Sequence, residues 1–168
     1  ETVKFVQKQR VKEKSVFFWL LGDDGLGEMI SISLTHPMSL KNKNITFNFI
    51  SSWFVYGDVE LPAKETANCD PKGFYSITKR AAEQLLMSYC DTFNIKYRIL
   101  RLGNVVGKSD TKVSKKKNAL QYLINEIKEN RPITLYDGGD LYRDYIHVDD
   151  VAQAINLIIK NGKTNGRV

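Results

Sequence analysis

The sequence predicts an α/β domain built on a parallel sheet with flanking helices. Three observations carry this. The apolar run 45–50 reads as a buried strand, and the run 96–102 as the next parallel one. Between them Ala82, Leu85, Leu86, Tyr89 and Phe93 recur at helical spacing, which predicts a helix over about 73–93. A strand, a long helix and a second strand make one parallel crossover unit.

The elements follow in order. Residues 1–14 carry Lys4, Lys8, Arg10, Lys12 and Lys14, suiting either a solvated helix face or frayed tail, or an anion-binding arm. Together, 1–44 form a basic segment that resists assignment, and 45–168 hold the recognisable pattern. The apolar run 15–21 follows a basic stretch, but it is short for a signal-peptide core and lacks a small-residue cleavage site. After it, Gly22-Asp23-Asp24-Gly25-Leu26-Gly27-Glu28 imitates a phosphate loop. Glu28 stands where the last glycine would fall, and two aspartates inside the turn would repel phosphate. No acid lies near 20 residues on to hold a ribose; Thr46, Phe47 and Asn48 are there instead. Only about 25 residues separate this turn from the next strand, whereas each parallel crossover takes a dozen or more. An ordinary strand-turn is the expectation.

Beyond Leu102, Gly103-Asn104-Val105-Val106-Gly107 suits ligand contact at a strand's carboxyl end, or a plain turn. Ser114-Lys115-Lys116-Lys117 suits a solvated loop or a phosphate clamp. Leu120, Leu123, Ile124 and Ile127 share one face of a helix predicted over 118–129. Pro132 opens a short strand over 133–136, and Asp137-Gly138-Gly139-Asp140 is a turn by composition. Residues 143–148 are extended, and Asp149 and Asp150 are placed to cap a last helix through Ile159.

Composition narrows the function classes. A formal charge of +6 suits an anionic partner such as a nucleotide or phosphate. No apolar run approaches the ~20 residues of a membrane span. Two cysteines in no metal-like spacing predict a reducing, cytoplasmic setting, and with two histidines no metal site is expected. Aromatic and basic residues are not interleaved and no reader motif is present, so nucleic-acid binding is not expected.

The chemistry concentrates between Ser51 and Lys79. Tyr75 and Lys79, four apart, lie one above the other on a helix. Ser52 ends the strand before that helix. A tyrosine is a poor base at neutral pH because its ordinary pKa is about 10, and each unit of lowering takes about 1.4 kcal/mol. One cation at about 5 Å, at an effective dielectric near 20, supplies roughly 3 kcal/mol. Lys79 plus a second positive charge would bring Tyr75 near neutrality, able to take a proton from a hydroxyl held by Ser52. With eight tyrosines and many lysines, roughly one such pair arises by chance, so spacing alone decides nothing.

Four segments in register decide more. They are Ser51-Ser52-Trp53-Phe54-Val55-Tyr56-Gly57; Tyr75-Ser76-Ile77-Thr78-Lys79 with Ala81-Ala82-Glu83 behind it; Arg101-Leu102-Gly103-Asn104-Val105-Val106-Gly107; and Arg143-Asp144-Tyr145-Ile146-His147-Val148-Asp149-Asp150-Val151. In this order they resemble the NAD-dependent epimerase/dehydratase family, the extended short-chain dehydrogenases that act on nucleotide sugars. The resemblance implies a partial Rossmann-like (doubly wound) parallel sheet, truncated at both ends, with NAD (or NADP) as cofactor and a nucleotide-diphosphate sugar as partner. It implies Ser52 as the hydroxyl that holds the sugar oxygen, Tyr75 as catalytic base, and Lys79 as the residue that contacts the nicotinamide ribose and lowers the tyrosine pKa. Ser51 and the backbone at Leu102 and Gly103 would lie beside the cofactor. Asn104 and Arg143 match positions contacting the diphosphate of the sugar nucleotide. From the residues alone, Ser52 also suits a strand-end cap, Asn104 a turn, and Arg143 an ion pair with Asp144.

Sugar 4,6-dehydratases of this family carry an acidic pair after the serine, where this chain has Trp53 and Phe54. The resemblance therefore implies a 4-epimerase or a 4-ketosugar reductase; a non-catalytic remnant that binds a nucleotide sugar or partner is the alternative. In the family the helix bearing the tyrosine and lysine often pairs with its twofold mate, which implies a homodimer. The family's N-terminal glycine-loop half has no alignable counterpart here.

Overall fold

The computed structural model describes residues 9–11, 14–19, 46–107, 119–140, 142–161 and 166–167. Two compact units result, residues 1–102 with 163–168, and residues 103–162.

The first unit is a five-stranded sheet in the order β1-β2-β3-β4-β7. Strand β1 (Gln9–Val11) runs antiparallel to β2 (Lys14–Trp19), and β2, β3 (Thr46–Ser52), β4 (Lys96–Leu102) and β7 (Gly166–Arg167) are parallel neighbours. Strands β2, β3 and β4 fall where the apolar runs place them. The basic segment differs from expectation: Gln9 to Val11 are neither helix nor tail, because their backbone finds a ladder partner in Lys14 to Val16. The glycine-containing turn at 22–28 and the lysine run at 115–117 lie outside the described residues.

Helix α1 (Phe74–Phe93) begins after Gly73 and closes on Asn94, whose left-handed φ of 53° lets its N–H and that of Ile95 return to the carbonyls of the last turn. Ala82, Leu86 and Cys90 pack on Phe47, Phe49, Ile95, Tyr97 and Ile99 to form the core. Burial there pushes the Cys90 thiol up to about 12, so it behaves as a small apolar side chain. Strand β3 is buried along its whole length, as a central parallel strand must be. Among its buried polar residues, Asn48 accepts from the buried Arg98 of β4 at 3.2 Å.

Between β3 and α1, a 3₁₀ turn (Trp53–Tyr56) ends at Gly57. Gly57 has φ +67°, and a Cβ there would lie 1.8 Å from the Asp70 carbonyl oxygen, so only glycine fits. That approach lets the Asp70 N–H reach the Tyr56 carbonyl at 3.1 Å.

In the second unit, β5 (Asn104–Val106) pairs in parallel with β6 (Tyr145–His147), with α2 (Ala119–Lys128) and α3 (Val148–Asn161). Three expectations are corrected here. Residues 104–106 are a strand rather than a turn, because they pair with a segment far along the chain. No strand forms over 133–136: Ile133 and Leu135 are exposed, no partner lies alongside among the described residues, and Tyr136 enters a 3₁₀ turn (Tyr136–Gly139). Asp149 and Asp150 lie inside the first turn of α3 rather than capping it; the His147 ring nitrogen Nδ1 accepts from the Asp149 N–H at 3.3 Å.

Candidate active site

In the first unit Ser52 ends β3, and the Lys79 side chain reaches the Ile50 carbonyl of the same strand beside the Tyr75 ring. The Lys79 side chain is drawn inward: the residue is 4% exposed, and its Nζ donates to the Ile50 carbonyl at 2.9 Å. A buried ammonium demands such a partner. The same Nζ lies 5.3 Å from the Phe49 ring centroid and 5.8 Å from that of Tyr75. One helical turn of spacing thus does what the sequence requires of it, setting a cation under the half-buried phenol.

Ser52 is joined to that pair through Phe54. The Ser52 Oγ accepts from the Phe54 N–H at 3.4 Å as the N-cap of the 3₁₀ turn, while the Phe54 ring meets the Tyr75 ring edge-on at 6.4 Å. The strand-end cap and the functional reading of Ser52 coexist, since an oxygen that accepts from an amide still carries its own proton to donate. Trp53 stacks on Phe54 at 4.5 Å, so the chain places two aromatic rings, and no carboxylate, directly after the serine.

Behind this surface lies an ionic cluster to which the sequence reading gives no role. Glu83, fully buried, accepts from Arg101 through Nε at 2.9 Å and Nη2 at 2.7 Å, and from Arg80 Nη1 at 2.8 Å. Burial alone would raise its pKa. Hydrogen bonds from Arg101 and Arg80, with the charge of Arg101, outweigh that and hold the carboxyl below its ordinary range. Burial likewise works against the Arg101 charge, but hydrogen bonds with Glu83 and Tyr56 hold the guanidinium above its ordinary value. Its Cζ lies 4.6 Å from the Tyr56 ring centroid. The buried Ser51 lies opposite Arg101 in the β3–β4 register, and its Oγ makes no hydrogen bond among the described residues. A signal was available: Lys79 and Glu83 occupy the same buried stripe of α1 as Ala82, Leu86 and Cys90, and a charge on such a stripe has to be paired.

The other candidates occupy the second unit, apart from Leu102, the last residue of β4. Asn104 opens β5 with its side-chain Nδ2 donating to the Asp144 carbonyl at 2.9 Å, a structural role in the strand pairing rather than in a turn. Its Oδ1 remains an acceptor. That bond sets Asn104 against the segment containing Arg143, which is exposed and forms no ion pair with Asp144 among the described residues. Gly103 is open, with a Cβ at its position meeting nothing nearer than the Asp144 carbonyl oxygen at 3.9 Å. Among the described residues no group of three or more acidic, histidine or cysteine side chains converges as a metal site would.

The sequence profile of the NAD dependent epimerase/dehydratase family matches residues 29–168. The chain belongs to that family. It is 32% identical over 133 residues to dTDP-glucose 4,6-dehydratase of Mycolicibacterium smegmatis, an alignment covering 77% of this chain and 39% of that protein. It is 28% identical over 114 residues to the uncharacterized UDP-glucose epimerase YtcB of Bacillus subtilis, covering 68% of this chain and 35% of that one. Among solved structures, UDP-N-acetylglucosamine 4-epimerase from Methanobrevibacter ruminantium M1, in complex with UDP-N-acetylmuramic acid, superposes with a TM-score of 0.72 at 30% identity. That match covers 83% of this chain and 45% of the other. The chain therefore spans less than half the length of these relatives. The epimerase/dehydratase family is NAD dependent, and its relatives here are nucleotide-sugar epimerases and dehydratases with a Rossmann-type sheet.

Proposed function

We propose that residues 45–168 carry the acid/base and sugar-nucleotide-binding part of an NAD-dependent nucleotide-sugar 4-epimerase. The observation that carries this is the buried, anchored Lys79 ammonium 5.8 Å from the Tyr75 ring. That cation favours the phenolate, so Tyr75 takes the proton of the sugar's C4 hydroxyl and later returns it to the oxygen of the inverted centre. Ser52 holds the same oxygen through its hydroxyl, with its own position fixed by the Phe54 amide. Bound NAD would supply the acceptor and donor for the C4 hydride. The donor set fits the ribose end of that cofactor: a phenol and an ammonium side by side at a strand's carboxyl end suit vicinal hydroxyls. Lys79 and Tyr75 would hold it. Arg143 and Asn104 grip the diphosphate of the substrate, a task for an exposed guanidinium fork and an amide.

Trp53 and Phe54 favour epimerisation over dehydration, since neither can move the proton that loss of water from a 4-keto sugar requires. Phe74, Ile77 and Leu85, exposed on α1, supply an apolar face for a homodimer through the helix of Tyr75 and Lys79. No helix among the described residues is long and apolar enough to cross a membrane. Two free cysteines, one of them buried, suit a reducing cytoplasm.

The test is to incubate the chain with NAD and UDP-glucose or dTDP-glucose and to quantify the C4 epimer by chromatography. Turnover is expected, with Tyr75→Phe lowering it by about 10²–10⁴-fold while circular dichroism stays unchanged. Turnover in Tyr75→Phe near the parent level would contradict the assigned base. Reduction of a 4-keto sugar with no epimer formed would make the enzyme a reductase.

A further inference from the structure

We propose that Glu83 is a positioning residue, whose buried carboxylate holds Ser52 and the 3₁₀ turn after it in fixed register with the helix bearing Tyr75 and Lys79. The inference rests on the proposed roles of Ser52 and Tyr75 and adds to them a component that cannot touch substrate, because Glu83 is fully buried.

Three elements meet at this carboxylate. Glu83 itself lies on α1, one helical turn beyond Lys79 and two beyond Tyr75. Arg101, which binds it with both arms of its fork, lies on β4 directly opposite Ser51 in the β3–β4 register. The Arg101 guanidinium covers the Tyr56 ring, and Tyr56 ends the turn that Ser52 caps. The tie thus runs from the helix of the base, through the neighbouring strand, to both ends of the segment presenting the serine. The Arg101 fork holds both carboxylate oxygens, and Arg80 adds a second cation from the helix at Oε2.

Stability alone does not call for such a cluster, because well-packed hydrocarbon of the same volume often stabilises a fold as well as a buried ion pair does. A bidentate fork supplies something hydrocarbon does not, a fixed angle as well as a fixed distance. That is what two groups on different elements need in order to share one sugar oxygen. Lys79 is anchored independently, by the Ile50 carbonyl on β3, so the strand and the helix are pinned at two levels.

Two variants of the full chain test this. Glu83→Gln keeps the shape and removes the charge; Arg101→Lys keeps the charge and removes the fork. Amide hydrogen exchange reads the tie without ligand. The Phe54 N–H, bonded to Ser52 Oγ, is expected to exchange at least tenfold faster in either variant, with amides at Ile99 and Leu100 unchanged. Calorimetry with UDP and with UDP-glucose reads its consequence. The extra affinity given by the hexose is expected to fall at least fivefold, while affinity for UDP itself holds. In a double-mutant cycle, Glu83→Gln combined with Ser52→Ala is expected to lose no more of that increment than either alone. A variant that lowers the thermal midpoint but leaves both Phe54 exchange and the hexose increment at parent values overturns the proposal, as does full additivity with Ser52→Ala. If Glu83→Gln does not fold, Arg101→Lys carries the same readouts. If the parent binds UDP-glucose no more tightly than UDP, the nucleotide-sugar reading fails, and exchange alone decides whether the tie holds Ser52.

Discussion

The two units treat their functional candidates in opposite ways. In the sheet unit Ser52 and Lys79 are 7% and 4% exposed, and each is tied to backbone by a hydrogen bond. In the second unit Arg143 is exposed, and Asn104 is only half-buried, its amide bonded to the Asp144 carbonyl. The difference fits the roles proposed for the two sets of residues. A base must have its protonation and geometry set before the substrate arrives, which requires burial and fixed partners. A phosphate grip gains most by meeting its anion from solvent, where an exposed guanidinium keeps its planar fork available. Stability and chemistry are therefore coupled in the first unit and separable in the second.

Substitutions can break or sharpen that contrast. The largest effect on folding is expected from Glu83→Ala, which strands the Arg101 charge in the interior and costs about 3–5 kcal/mol in urea unfolding. The same group gives a pH dependence. Its folded pKa is depressed, so its contribution is present above the unfolded value near 4.5 and is lost as pH falls through the folded value. Parent stability should accordingly drop more steeply below about pH 5 than that of Glu83→Gln. Next in size is Gly57→Ala, which forces a side chain into left-handed backbone against the Asp70 carbonyl and costs about 2 kcal/mol or more by the same measurement. Smallest for folding is Arg143→Ala, with unfolding within about 0.5 kcal/mol of the parent. Its affinity for UDP-glucose should nevertheless fall roughly tenfold, with a shallower salt dependence. A large loss of stability in Arg143→Ala, or none in Glu83→Ala, would erase the distinction between the two units.

What the sequence made legible follows the same line. Strand β4 and helix α1 were readable because their residues announce themselves locally, by an unbroken apolar run and by helical recurrence. The placement of Tyr75 over Lys79 was readable because one helical turn fixes it. The pairing of residues 104–106 with 145–147 was not, since a strand exists only where a distant partner lies alongside. The apolar residues at 133 and 135 mislead for the same reason, looking like a strand that no neighbour completes. The tie between Glu83 and Arg101 was half legible: a charge on a buried helical stripe must be paired, but only the β3–β4 register puts Arg101 opposite Ser51 and within reach of the helix.

The most direct test of the site is the titration of the Tyr75 phenol, read from ultraviolet difference spectra between a chain and its Tyr75→Phe counterpart. Replacing Lys79 with methionine removes the cation 5.8 Å from the ring, and the phenol should then titrate at higher pH by about one unit or more. An unchanged midpoint in Lys79→Met would contradict the claim that this lysine makes Tyr75 a base.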